Sequence, residues 1–352
     1  MKKILLNNGI GEIHIPLVFS TVDAAQSEFE RAAEILRRNS ARIASLEVCA
    51  GSCADSAVAG FTRGAPYPVN RILPLDEVSQ PTIGGAHITA VFGCSPEFAS
   101  TEDGLRAVRY SDGFFDYCRT FGVVSAVPNS QPYAHTIDNL ERLERALGLF
   151  GFEYTDIART WFYNDDILAW YDDFNRARTK FYSDRKIFEK LLPASTGIGA
   201  PNPAGALITS GAVAVRKIGQ CGVSEVESPL QCGAPEYGSS FARAVELETP
   251  KSRRVMVSGT ASIEWGGKTA HVGDIQKQVD LTMRVIGAIL ESRKMDFSNT
   301  VRSIVYCRHP EYYRRFEDWA KTNGAVAHVP SYSIVCRSDL LFEVELEAAV
   351  GV

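Results

Sequence analysis

Three glutamates, Glu343, Glu345 and Glu347, alternate with Val344 and Leu346 close to the end of the chain. In a strand that spacing puts all three carboxyl groups on one face, where they are either a solvated outer row or a source of general acid and base groups. Arginines form the second candidate set. Arg178 follows Phe174 by four residues and precedes Phe181 by three, which places it on the apolar stripe of a helix. An unpaired guanidinium is too costly to keep there, so Arg178 must meet a structural carboxylate or an anionic ligand. Arg159 lies in a β-like run with Ile157, Trp161 and Tyr163 as same-face neighbours and needs a partner for the same reason. Arg243, after Ser239, Ser240 and Phe241, reads by itself as a solvated side chain at an edge. Cys336, beside Ile334 and Val335, reads as a small buried residue. Ser195, Thr196, Gly197 and Gly199 have the composition of an anion-binding backbone nest and equally of a plain turn.

The elements that must position these groups come from an internal repeat. Residues 139–163 and 282–306 run in parallel without a gap, and Arg159 falls on Arg302, which points to a shared structural role for the two. Each copy starts with an amphipathic helix, with Leu140, Leu143, Leu147 and Phe150 in the first and Val279, Met283, Ile286 and Leu290 in the second. Buried strands follow at Ile157 to Tyr163 and Val301 to Tyr306, then a second helix. That helix carries Ile167, Trp170, Tyr171, Phe174 and Phe181 in one copy and Tyr312, Tyr313, Phe316 and Trp319 in the other. Closing β-like runs at 206–215 and 340–350 complete a helix, strand, helix, strand unit, so the fold class is an α+β sandwich built twice. The stretch from Arg216 to Pro235 lacks periodicity and divides the chain into domains 1–216 and 217–352. In residues 1–75 the one clear element is a helix from about Ala24 to Arg38.

Bulk properties exclude several functions. The chain has 352 residues, a net charge of -5 and no Lys/Arg run that could track phosphates, so nucleic acid is not an expected partner. No window of about 18 apolar residues predicts a membrane span, and the expected location is the cytoplasm. The eight cysteines have no paired spacing and read as reduced thiols. Cys49 and Cys53 lack two further ligands at metal-binding spacing, so neither a metal nor another cofactor is expected.

The C-terminal half resembles the RidA (YjgF) family through GSSFARA at 238–244, VSGTASI at 257–263, then His271, Gly273, Asp274 and Gln278, and the closing FEVELEA at 342–348. RidA imine deaminases carry a ligand-binding arginine early in the penultimate strand, where this chain reads VPSYSIVC at 329–336, so the deaminase reading weakens. The whole chain resembles the chorismatases, which fuse a RidA-like C-terminal domain to a related N-terminal one. The residues that carry this are ARTWFYNDDILAWYDDFNRAR at 158–178, PASTGIG at 193–199, YGSSFARA at 237–244 and CRSDLLFEVE at 336–345. The resemblance implies two RidA/YjgF-like (chorismate mutase-like) α/β sandwich halves forming a pseudo-repeat. It also implies cleavage of chorismate to pyruvate and a C7 ring acid. Glu343 takes the place of that family's catalytic acid, and Cys336 matches the cysteine of the 3-hydroxybenzoate-forming branch.

Chorismate carries two carboxylates and an enol ether, so its site needs cationic clamps and one acid able to protonate the enol ether methylene. The expected binding set is Arg159, Arg178, Arg243, Tyr237 and Ser240. In a closed apolar pocket Glu343 would be kept protonated by desolvation, with the arginines pulling the other way. Hydrolysis of chorismate to a dihydroxycyclohexadiene carboxylate, a RidA-type enamine or imine deaminase, and a noncatalytic small-ligand binder are the other readings. The assembly is expected to be a monomer or a homo-oligomer through RidA-like faces.

Overall fold

The computed structural model describes residues 1–75, 83–127, 131–324 and 326–351, except for the side chain of Tyr237. Its strands form three sheets. The first unit runs β1 (Lys2–Asn7), β2 (Ile10–Phe19), α1 (Val22–Arg38), β3 (Arg42–Cys49), α2 (Asp55–Thr62), β4 (Val69–Ile72) and β5 (Gly84–Phe92). The second runs β6 (Glu97–Ser100), β7 (Arg106–Ser111), β8 (Phe115–Val124), α3 (Pro132–Gly148), β9 (Ile157–Asn164), α4 (Ile167–Asp184), β10 (Ala194–Gly199) and β11 (Ile208–Lys217). The third runs β12 (Gly222–Val226), β13 (Ala244–Glu248), β14 (Ser252–Ala261), α5 (Ile275–Glu291), β15 (Thr300–Cys307), α6 (Pro310–Asn323), β16 (Val329–Tyr332) and β17 (Phe342–Gly351).

Strand order is β6-β7-β8-β11-β9-β10 in the second sheet and β12-β13-β14-β17-β15-β16 in the third, the same topology position by position. The first sheet, β1-β2-β5-β3-β4, repeats that order without the outermost strand. Each sheet ends in a parallel pair, β3 with β4, β9 with β10 and β15 with β16. The α+β sandwich and its internal duplication are therefore present in residues 97–351, and a further unit of the same topology occupies residues 2–92. Helical periodicity exposed only α1 there, where Thr21 Oγ1 accepts from the Ala24 N–H at 3.1 Å and Phe29, Ala32 and Leu36 form the buried stripe. In that unit β5 is buried at every position, so its sequence shows no alternation to betray a strand.

Helices lie outside and sheets inside. Phe29 and Val58 of α1 and α2 cover the first sheet, and Met283, Ile286 and Phe316 of α5 and α6 cover the third. The inner core joins all three sheets, through Ile72 and Val91, Phe121 and Trp161, and Met256 and Ile304. Charged groups are buried in the same junction. Glu12 and Glu47 come from the first sheet, Arg119 and Arg159 from the second, and Arg254, Arg302, Glu345 and Glu347 from the third, each at most 3% exposed. Arg302 binds Glu47 through Nε at 2.9 Å and Nη2 at 2.7 Å, while Arg254 and Arg119 both approach Glu12. The carboxylate row of β17 is thus no solvated face. Convergence of three sheets turns what would be the open side of one into an interior.

Ser195 to Gly199 form β10 rather than a nest or a turn. This strand is the seam between the second and third units: it pairs in parallel with β9, and Ala194 and Gly199 bridge to Ala242 and Ile334. Among the described residues no helix is long and apolar enough to cross a membrane.

Candidate active site

Beside that seam a chamber of about 50 Å³ is lined by Tyr171 and Arg178 of α4, Ser195 and Gly197 of β10, and Phe241, Arg243, Gly259, Cys336 and Glu343 of the third unit. It shares Tyr171, Ser239, Cys336 and Arg337 with a wider vestibule of about 440 Å³. The two spaces together have the volume of a small-molecule site.

Each side chain reaches the chamber for a local reason. In α4 the helical dihedrals break at Trp170 (φ -143°, ψ 24°), whose indole donates to Asp165 at 3.1 Å, and Tyr171 lines the chamber directly after the break. Two turns on, Arg178 is 2% exposed. Its Nη2 donates to Asn175 at 2.8 Å, its guanidinium lies 4.9 Å from the Phe174 ring centroid, and its Nε has no hydrogen-bond partner. Among the described residues no carboxylate lies within ion-pair distance of it, so of its two possible partners the structural one is not there. Arg243 donates from Nε to the Cys232 carbonyl at 3.0 Å and stands 5.7 Å from the Phe241 ring centroid.

Glu343 owes its position to a β-bulge. The pairing of β14 with β17 slips between Val257 and Thr260, so one extra residue is inserted and Gly259 faces the Glu343 carboxyl, leaving no room for a side chain at 259. The Ser258 hydroxyl beside it donates to the Ala242 carbonyl at 2.5 Å and accepts from the Ser195 N–H at 2.8 Å, tying bulge and seam together. Burial, and then the neighbouring Glu345 charge, push the Glu343 carboxyl up to about 8 against the pull of Arg159 and Arg243. Burial and the same Glu343 raise the Cys336 thiol to about 12, so the sulfur is a neutral thiol and not a thiolate nucleophile.

The expected site residues divide. Glu343, Cys336, Arg178 and Arg243 meet in one chamber. Arg159 does not line it. Its Nη2 is bound to Glu345 at 2.6 Å, and Arg302 donates to the other oxygen of that carboxylate at 2.7 Å. Trp161 completes the clamp, donating to Glu345 at 2.8 Å with both guanidinium carbons 4.9 Å from its ring centroid. Arg159 and Arg302 therefore share the structural role that their place in the repeat predicts, and Arg159 reaches the chamber only through the field it exerts on Glu343. Burial would raise Glu345 as well, but Arg302 and Arg159 hold it below the usual carboxylate range. Ser240 turns away and bonds the Thr179 hydroxyl at 2.9 Å, while Ser239 faces the chamber. The side chain of Tyr237 lies outside the described residues. Sequence reasoning missed Tyr171, Gly259 and Arg337 as lining residues. All three sit inside the quoted motifs, where only their neighbours had a chemical reason to stand out.

Three arginines, Arg178, Arg243 and Arg337, thus line the same chamber as a carboxyl pushed up to about 8, beside the seam of the second and third units. No family model matches the chain. A chorismatase from Streptomyces hygroscopicus is 31% identical over 235 residues, 59% of this chain and 64% of the relative, so the match spans just under two thirds of that protein. A chorismatase from Streptomyces rapamycinicus is 28% identical over 279 residues, 71% of this chain and 78% of the relative. The crystal structure of a chorismatase superposes with a TM-score of 0.64 at 22% identity, over 87% of this chain and 92% of that one. In sequence the chain is similar to these chorismatases, and its fold is that of the chorismatase crystal structure.

Proposed function

We propose that the protein cleaves chorismate into pyruvate and a C7 ring acid. The observation that carries this is the Glu343 carboxyl, pushed up to about 8 inside a chamber whose cationic walls are Arg178, Arg243 and Arg337. Two carboxylates on the ligand answer the arginines, and the protonated acid answers the enol ether. Glu343 gives its proton to the methylene carbon, and the resulting cation collapses with release of pyruvate. Capture by water would yield a dihydroxycyclohexadiene carboxylate. Transfer of the neighbouring ring hydroxyl oxygen to the carbon that pyruvate leaves, with loss of one ring proton, yields 3-hydroxybenzoate and consumes no net water. A chamber of about 50 Å³ with the neutral Cys336 thiol in its wall favours the second course, and 3-hydroxybenzoate is the product we assign.

The test is incubation of the purified protein with chorismate, coupled detection of pyruvate, and identification of the ring product by chromatography and mass. Pyruvate with 3-hydroxybenzoate supports the full reading, pyruvate with the dihydrodiol keeps the cleavage and overturns the product, and absence of pyruvate overturns both. In the same assay Arg178→Met raises KM by at least about tenfold, the loss of one charge-assisted contact to a carboxylate. A KM equal to that of the parent protein removes Arg178 from substrate binding.

Gly259→Ala puts a methyl group against the Glu343 carboxyl oxygen. Misplacing the acid in this way lowers kcat on the order of 100-fold, while circular dichroism stays that of the parent. Unchanged turnover in a folded G259A protein would show that the carboxyl tolerates displacement.

A further inference from the structure

Between the chamber and the vestibule stands Tyr171, which lines both. Its ring stacks on Phe174, with centroids 5.9 Å apart and planes at 13°. The hydroxyl end reaches across to β10, where the phenol oxygen lies 4.0 Å from the point that a Cβ at Gly197 would occupy. We infer that the Tyr171 hydroxyl hydrogen-bonds the ring hydroxyl of the substrate in the space that Gly197 leaves bare, so that Tyr171 selects a ring with a hydroxyl opposite its carboxylate. The assignment rests on chorismate as the substrate.

Three arginines line the chamber, enough for the two carboxylates of chorismate. Two further oxygens of the ligand need partners, the enol ether and the ring hydroxyl. Protonation of the methylene puts positive charge on the ether oxygen, where a hydrogen-bond donor would oppose the step. The ring hydroxyl donates and accepts, and its complement is a neutral group that does the same. Tyr171 is such a group. Burial, and then the Cys336 sulfur, hold its phenol above the ordinary value against the pull of Arg178, so it stays un-ionised. The acceptors beside it leave its proton available to a ligand. The Cys336 thiol is a weak acceptor, and the Asn175 amide oxygen already accepts from Arg178 at 2.8 Å.

The experiment titrates the full-length protein with 4-hydroxybenzoate and with benzoate by calorimetry, a pair that differs only in a hydroxyl opposite the carboxylate. The parent binds 4-hydroxybenzoate about 3- to 10-fold more tightly, the worth of one neutral hydrogen bond. Tyr171→Phe keeps the ring and its stacking, and binds the two acids alike. With chorismate the same variant raises KM by a similar factor and leaves kcat near that of the parent, a split that general loss of structure does not produce. Gly197→Ala meets only the Tyr171 side chain, at 3.8 Å and 4.0 Å, so the variant folds, yet its methyl group occupies the space for the hydroxyl and abolishes the preference. A parent without the preference, or a Tyr171→Phe protein that retains it or keeps the parent KM, overturns the role of Tyr171 and leaves chorismate cleavage standing. Loss of the preference in Ser239→Ala, with Tyr171→Phe unaffected, moves the contact to Ser239 and overturns it equally. A parent that shows the Tyr171-dependent preference but releases no pyruvate from chorismate overturns the cleavage alone.

Discussion

Glu343→Gln is expected to lower turnover about 1000-fold and, at alkaline pH, to make the fold more stable than that of the parent. The first effect follows from removing the one acidic proton in the chamber, since a positioned general acid contributes roughly 100- to 10,000-fold. The second follows from the same burial that makes the acid useful. In the folded protein the Glu343 carboxyl is raised from 4.5 to about 8. Between those two values the folded state keeps a proton that the unfolded state has lost, so stability falls as pH rises across that window, and above about pH 8 the full penalty of a buried charge is present. Glutamine carries no such penalty, and the variant gains on the order of a few kcal/mol at pH 8.5 but almost nothing at pH 4.5. For activity the sign is the same: kcat/KM of the parent is level below about pH 8 and falls tenfold per unit above it. Urea unfolding of both proteins at the two pH values, with a pH–rate profile, checks each part. A Glu343→Gln protein that turns over at the parent rate, or a parent rate that rises through pH 8, removes Glu343 from the role of acid.

Glu345→Gln, one step along the same face, has the opposite balance. Glu345 accepts from Arg159, Arg302 and Trp161 with no exposure to solvent. Neutralising it leaves Arg159 without a carboxylate partner and Arg302 with Glu47 alone. Breaking a buried pair by removing one partner costs about 3–5 kcal/mol, so the unfolding midpoint should fall by roughly 4–7 °C for a chain of this size. The variant also changes the chemistry without touching the chamber. Glu345 raises the Glu343 pKa and shields Arg159, which lowers it, so the alkaline limb of the pH–rate profile moves to lower pH. That shift separates an electrostatic role from a purely structural one, because general destabilisation leaves the limb in place. A limb still at about pH 8 in a folded variant would show that burial alone holds the acid.

The two glutamates are two residues apart and chemically identical, which shows where sequence reading ran out. Their shared face followed from the alternation of β17. That Glu345 is clamped by two arginines while Glu343 is left protonated depends on Arg159 arriving from β9 and Arg302 from β15, strands distant in the chain. Arg178 shows the same limit from the other side. Its helical register at Phe174 and Phe181 was enough to bury it and demand a partner, but only the packed structure shows Asn175 and, among the described residues, no carboxylate beside it.

What this sequence determined by itself is whatever local periodicity and self-similarity encode. The helices α1, α3, α4, α5 and α6, the strands β9 and β15, the duplication of residues 139–215 in 282–350, and the structural kinship of Arg159 with Arg302 all belong there, because a helix stripe or a repeat is written within a few turns of chain. Tertiary structure decided the rest. It added the first unit, whose β5 is buried throughout and shows no alternation, turned the carboxylate row inward, drew Ser195 to Gly199 into a seam strand, and set Gly259 against Glu343 through a one-residue bulge. Each of these is a matter of which surfaces converge, and desolvation, the term that turns an ordinary glutamate into an acid, exists only once they have.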